Sequence, residues 1–232
     1  MNDLKIAIKQ PYFMPYIGFW QEVGIVNKYV FFDDVNYVKK GWINRNNILV
    51  GGNKYLFTLA LTNASQNKYI NEIEICDDFE KLKKTIYMAY KNAPHFEDVM
   101  SLLERIFHYE DKNLARFVGN SIVEVSHWLG FKTEFAYSSE MGNDKSLHKQ
   151  DKIIDLCKYV GADYYFDSTG ALELYNKDDF RQNNITLQFV KSDITPYKQF
   201  NNDFVGGLSI IDVMMFNNRK AINNMLTKFE LI

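Results

Sequence analysis

Four segments of the chain concentrate the residue types that chemistry needs. In the densest, the acids Asp33 and Asp34 stand shortly ahead of Lys39, Lys40, Trp42, Asn44, Arg45 and Asn46. Acids, cations and carboxamides so close together can move a proton, hold an anion and read a sugar, nucleotide or carboxylate. Taken singly, Asp33-Asp34 also reads as a turn or helix cap and Lys39-Lys40 as a solvated face; Arg45, between two carboxamides, is the best anion contact. A second segment, Gln10 to Phe19, carries Tyr12, Tyr16 and Gly18 on a loop stiffened by Pro11 and Pro15. It leaves a strand and enters a helix, where open α/β sheets turn free N–H groups toward anions, although an aromatic plug over the sheet end has the same pattern. In the third, Ser138 and Ser139 precede Lys145 and His148. Hydroxyls and an ammonium ahead of a helix suit phosphate, but the glycine spacing of a P-loop is missing and a cap-and-turn reading is favoured. The fourth, Asp167-Ser168, ends an aromatic run, Tyr164-Tyr165-Phe166.

Nucleophilic and metal chemistry have weaker footing. His95, His108 and His127 fall in or beside helical stretches, and no H-E-x-x-H or G-x-S-x-G pattern occurs. Cys76 and Cys157 lack metal-ligand spacing, and Cys157 sits among Ile153, Ile154 and Leu156 as a core residue, so no metal site is expected.

Alternating patterns must position these segments. Lys5 to Lys9 reads as a strand, the stretch from Gly18 as a helix with Phe19, Trp20, Val23 and Val26 inward, and Tyr29 to Asp33 as a second strand, which together make a βαβ opening. Two runs within Ile48 to Leu61, split by Gly51-Gly52-Asn53, predict a hairpin, and Asn71 to Cys76 a third short strand. Three amphipathic helices follow, the last closing at Gly130. Strands at Glu134 to Ser138, Tyr164 to Asp167 and Thr186 to Val190 then alternate with helices at Lys149 to Val160 and Asp178 to Gln182. Two terminal helices are expected, one headed by Ser209 and one marked by Ile222, Met225, Leu226 and Phe229. The predicted fold is α/β, with a mostly parallel sheet, a Rossmann-like, nucleotidyltransferase-like βαβ opening, a β-hairpin insertion and a helical middle. Residues 1–232 form one domain, with 48–130 as the insertion.

Composition narrows the function classes. With 27 Lys and Arg against 29 Asp and Glu, the net charge of −2 argues against a surface built to hold nucleic acid. The N-terminus runs into a short apolar segment broken at Gln10-Pro11, too short for a secretory leader. The most apolar stretch, Ile17 to Phe32, carries Gln21, Glu22, Asn27 and Lys28, so no membrane span is expected and the location is read as cytoplasmic. The 15 Tyr and 18 Phe suit a thick core beside a stacking-rich cleft.

The run from Gln10-Pro11-Tyr12-Phe13 to Tyr16-x-Gly18-Phe19, the run Phe31-Phe32-Asp33-Asp34-Val35-Asn36-Tyr37 and Gly41-Trp42-Ile43-Asn44-Arg45-Asn46 resemble the WbqC-like family, found with O-antigen and other bacterial surface-polysaccharide genes. Weaker echoes extend to Leu208-Ser209-Ile210-Ile211-Asp212. The resemblance implies transfer of glycine or another acyl group onto an amino sugar and supplies no catalytic residues. The opening also looks like that of nucleotidyltransferases and adenylate-forming ligases with H-x-G-H, but Tyr16-Ile17-Gly18-Phe19 stands there instead, so their phosphate chemistry does not carry over.

The leading expectation is therefore an enzyme that acylates the amine of a nucleotide-linked amino sugar, using an activated acyl donor or ATP. Asp33 or Asp34 would act as base, Lys39, Lys40 and Arg45 as cations, and Tyr12, Tyr16 and Trp42 as stacking surfaces. The alternatives are a non-catalytic module holding the sugar nucleotide or a partner, and an ATP-dependent adenylate-forming amide ligase; a homo-oligomer fits either. Parallel strands would bring Gln10, Asp33, Ser138 and Asp167 to one edge. The expected pocket is bounded by the Gln10 to Gly18 loop, the Asp33 to Asn46 segment and Ser138-Ser139, with Asp167-Ser168 at its rim.

Overall fold

The computed structural model describes residues 3–201 and 203–232; Met1 and Asn2, where the reading of the N-terminus begins, lie outside them. Strand β1 (Lys5–Lys9) turns Ile6 and Ile8 to one face and Ala7 to the other, as a period of two requires. Helix α1 (Ile17–Ile25) carries the chain to β2 (Lys28–Phe31), which pairs parallel with β1. The hairpin of β3 (Arg45–Val50) and β4 (Asn53–Thr58) turns through Gly51 and Gly52 at φ 57° and 79°, values glycine adopts at little steric cost. Its first strand starts three residues before the expected Ile48, so Arg45 and Asn46 belong to the strand.

Strand β5 (Leu61–Thr62) pairs with β6 (Glu74–Ile75), and the helices α2 (Glu80–Tyr90), α3 (Phe96–Phe107) and α4 (Leu114–Leu129) follow. Of the expected Asn71 to Cys76 strand only Glu74 and Ile75 form strand, because Ile70–Glu72 forms a 3-10 turn. After Gly130, in the left-handed conformation at φ 87°, come β7 (Glu134–Tyr137), α5 (Lys149–Val160), β8 (Tyr164–Ser168), α6 (Lys177–Gln182) and β9 (Thr186–Ser192). The chain closes with α7 (Ile210–Phe216), α8 (Arg219–Leu226) and β10 (Phe229–Leu231). This corrects the expected ending: Phe229 opens an edge strand antiparallel to β9. The Gln21 side chain donates to the Met225 and Lys228 carbonyls at 3.0 and 2.7 Å, which satisfies the end of α8 and turns the chain toward the sheet.

The central sheet has the order β10-β9-β8-β1-β2-β7 and is parallel except for β10. The protein is an α/β fold with a mostly parallel sheet, as its patterning predicts. One core joins Ala7, Tyr29 and Phe31 to α1, the middle helices and α7; the other joins Ile6, Ile8 and Val30 to α5 and α6. The chain builds outward from β1 through β2 to β7, then returns to the other side of β1 with β8 and β9. The order reverses between β1 and β8, and such a reversal opens a crevice beyond the carboxyl ends of the two strands. No helix of the described residues is long and apolar enough to cross a membrane.

Candidate functional site

A cleft of about 730 Å³ occupies that switch point. Lys9 and Gln10 reach it from the end of β1, Asp167 and Ser168 from the end of β8, and Glu22 from α1. Tyr12, Tyr16, Phe19 and Trp42 line it on the side of the proline loop, Phe32, Ile153, Leu174 and Tyr175 elsewhere. The Tyr12 ring meets Phe19 edge-on at 6.1 Å and lies 6.1 Å from Trp42, so the loop aromatics form a connected wall.

The floor is a three-charge cluster. The Lys9 ammonium lies 2.5 Å from Asp167 Oδ1, 3.2 Å from Glu22 Oε2 and 3.0 Å from the Ser168 hydroxyl. Asp167 is held in turn by the Tyr165 hydroxyl at 2.8 Å and the Ser168 amide at 2.6 Å. Glu22 is only 3% exposed at its side chain and its Oε1 has no hydrogen-bond partner. Burial raises the Glu22 carboxyl to about 7; Lys9 opposes that shift and Asp167 adds to it. Burial alone would lower the Lys9 pKa, but its two carboxylates outweigh that and lift it, so it stays an ammonium. Two carboxyls facing one ammonium leave no spare positive charge on the floor. The buried, unpartnered oxygen of Glu22 is suited to take a proton, or to receive an N–H.

Asp33 and Asp34 occupy the neighbouring strand end but do not line this cleft. Asp33 accepts from the Ser138 hydroxyl at 3.1 Å, the Ser139 amide at 2.9 Å and the Ser139 hydroxyl at 2.7 Å. Asp34 accepts from the Ser138 hydroxyl and lies 3.2 Å from the Lys145 ammonium and 3.0 Å from that of Lys152. Burial alone would raise its pKa, but Ser138 and the two ammoniums prevail and hold it below the ordinary carboxylate value. The carboxylates thus fasten the ends of β2 and β7 together. The expected pocket therefore divides: the proline loop, Trp42, Asp167 and Ser168 meet at the cleft, whereas Ser138, Ser139 and Lys145 gather around Asp33 and Asp34.

The other candidates also separate by role. Asn44 donates to the Leu59 carbonyl at 2.8 Å and accepts from the Tyr37 hydroxyl at 3.0 Å. Asn46 donates to the Met14 carbonyl at 2.6 Å, and Ser209 donates to the same oxygen at 2.7 Å. These bonds hold the proline loop in the shape that puts Met14 at φ 47°, a left-handed value that costs a side-chain-bearing residue about 1 kcal/mol or more. Gly18 is explained by packing, since a Cβ there would strike the Tyr16 ring and the Ser192 hydroxyl. Arg45 stacks its guanidinium 5.4 Å from the Trp42 ring centre and donates Nε–H to the Gly41 carbonyl at 2.7 Å. Lys39 and Lys40 are exposed on the turn before Trp42.

Lys9 and Glu22 are the floor residues that the motifs pass over. A signal exists for each. Strand alternation puts Lys9 on the inward face of Ala7, and helical spacing puts Glu22 three residues after Phe19 and four before Val26, inside an apolar stripe. A charge on a buried face requires a partner, and each of these supplies the other's.

The model of the WbqC-like protein family matches residues 10–224. A curated relative, the uncharacterized protein Rv1507c of Mycobacterium tuberculosis, is 24% identical over 218 residues, which cover 92% of this chain and 93% of the relative. No solved structure matches the chain.

Proposed function

The chain belongs to the WbqC-like family, and from that membership and its acid-floored cleft we propose that it joins an acyl or aminoacyl group, such as glycyl, to the amine of a nucleotide-linked amino sugar for bacterial surface polysaccharide. The observation that carries this reading is Glu22: a buried carboxyl, held near neutrality, with an unpartnered oxygen in an aromatic-walled cleft. Amide formation needs a neutral amine at a carbonyl carbon and a base that takes the amine's proton as the C–N bond forms. Glu22 is suited to that proton, and we assign the role to it because the oxygens of Asp33 and Asp34 are already engaged. The Ser168 hydroxyl, which accepts from Lys9 and lines the cleft, is the donor nearest the oxyanion that develops on an activated donor such as a thioester or acyl phosphate. The bond to the leaving group then breaks, and the proton held at Glu22 departs with it. Tyr12, Tyr16 and Trp42 offer faces for a sugar or base.

The test is purified protein incubated with a panel of nucleotide-linked amino sugars and acyl thioesters or acyl phosphates, with ATP plus free amino acids as a separate arm. Mass spectrometry of the sugar should show the gain of one acyl group and the loss of one proton. Sugars that bind without any mass gain across the panel would contradict the transferase reading and leave a binding module.

A further inference from the structure

The charges of the cleft are sorted by depth. At the floor, the ammonium of Lys9 is consumed by two carboxyls, and the polar atom there without a hydrogen-bond partner is the buried Oε1 of Glu22. A phosphoryl group placed at that depth would meet Glu22 and Asp167, whereas an amine would find an acceptor. Beside the mouth the order is reversed, with three cations next to lining residues although none of them lines the cleft itself. Lys39, Lys40 and Arg45 flank Trp42, a lining residue that is 47% exposed, and among the described residues none of the three cations forms an ion pair. Lys39 and Lys40 stand on a turn in which the Gly41 amide donates to the Val38 carbonyl at 3.0 Å and Lys40 sits at φ 61°, and Arg45 opens β3. Arg45 is anchored by its Nε–H and by the Trp42 ring, which leaves its other N–H groups available. A planar guanidinium held in this way is already oriented for two phosphoryl oxygens.

We propose that the cleft binds a phosphorylated amino sugar amine first, with Glu22 receiving the amine at the floor and Arg45, Lys39 and Lys40 reading the phosphoryl group at the rim. The inference rests on the transferase reading only for the amino sugar itself; the polarity is a property of the cleft. The same phosphoryl chemistry occurs on a nucleoside diphosphate and on a lipid diphosphate carrier, and exposed Val38, Trp42 and Leu174 at the mouth suit a base or a prenyl chain.

Calorimetric titration separates these cases without an acyl donor. The probes are glucosamine, glucosamine 1-phosphate, N-acetylglucosamine 1-phosphate, uridine-diphosphate glucosamine and a farnesyl-diphosphate glucosamine. In the unmodified protein the phosphate should tighten binding at least ~10-fold over glucosamine, a gain that falls as salt is raised. Arg45→Gln and Lys39→Ala should each remove most of that gain, and N-acetylation should cost ~10-fold because it blocks the amine at Glu22. Lys39 has no hydrogen bond or ion pair among the described residues, so its variant reports on the ligand and not on folding. Whichever diphosphate binds more tightly identifies the carrier. A phosphate gain untouched in both variants, or equal binding of the N-acetylated sugar, would overturn the proposed orientation even if acyl transfer occurs. Loss of the gain in both variants without any acyl transfer would uphold the orientation and refute the transferase.

Discussion

Glu22 and Lys9 show how a pair of residues can be structural and chemical at once. The ammonium of Lys9 is about 20% exposed and holds two carboxyls that would otherwise sit unpaired at the switch point. Removing it while keeping them should destabilise the fold by roughly 3 kcal/mol, as breaking a buried pair does. We therefore expect Lys9→Met to lower the urea midpoint strongly and the added Glu22→Gln to restore part of the loss; strictly additive losses would show that the two do not interact. The raised Glu22 carboxyl makes a separate prediction. A base must be deprotonated, so turnover should rise with pH through about 7, and Glu22→Gln should abolish that limb and cost ~10²- to 10⁴-fold in kcat, a larger effect than the ~10-fold loss of sugar affinity expected when the amine contact is lost. A limb that persists in Glu22→Gln would move the base elsewhere. Asp33 and Asp34 stand out in the sequence as doubled acids beside cations, yet the serines and lysines that engage them come from far along the chain, a pairing that spacing alone does not reveal.

Among the elements, the proline loop decides the shape of the cleft. Asn46 and Ser209 both donate to Met14, so β3 and the head of α7 together fix a loop that belongs to neither. Gly18 completes the arrangement by letting the Tyr16 ring lie against the start of α1. Gly18→Ala should displace that ring and Ser192, costing about 1–3 kcal/mol and raising KM more than it lowers kcat. Unchanged stability and KM would mean that Tyr16 moves aside freely. The elements themselves were largely legible: α5 matches its expected span, and the βαβ opening follows from hydrophobic period alone. The misread ending has a tertiary cause, because Phe229 continues the helical spacing of α8 while the Gln21 side chain, some two hundred residues earlier, holds the carbonyls at the end of that helix. The two-residue β5 is likewise too brief to leave a periodic signal, whereas its partner β6 lies within the expected Asn71 to Cys76 strand.

At the scale of the molecule, a second buried acid ties distant parts together. Asp212 on α7 accepts from the Gln199 side chain at 2.9 Å and from the Tyr197 and Tyr90 hydroxyls at 3.3 and 3.4 Å. It thereby links the segment before α7 to α2. Burial lifts its carboxyl to about 6, against the pull of these donors. The folded chain holds that proton more tightly than the unfolded chain, so the stability it confers is complete below pH about 4 and fades as pH rises through about 6. Asp212→Asn cannot titrate. The stability difference between wild type and this variant should therefore shift by on the order of 2 kcal/mol between pH 4 and 7, in favour of the variant at the higher pH. A difference constant across that range would show that Asp212 is not protonated in the fold.

The switch point itself follows from strand order, and strand order from the return of the chain to the free side of β1. Periodicity predicts the parallel strands but not which side of β1 the later ones take, which is why the cleft was expected nearer Ser138 than it lies. The most direct measurement of the account is a structure of the protein with a nucleotide-linked amino sugar bound. It should place the sugar's amine nitrogen about 3 Å from Glu22, with the phosphates beside Arg45 and Trp42. Density for the ligand at Asp33 and Ser138, or in the hollow lined by His95, Arg105, Trp128 and Arg219, would contradict it.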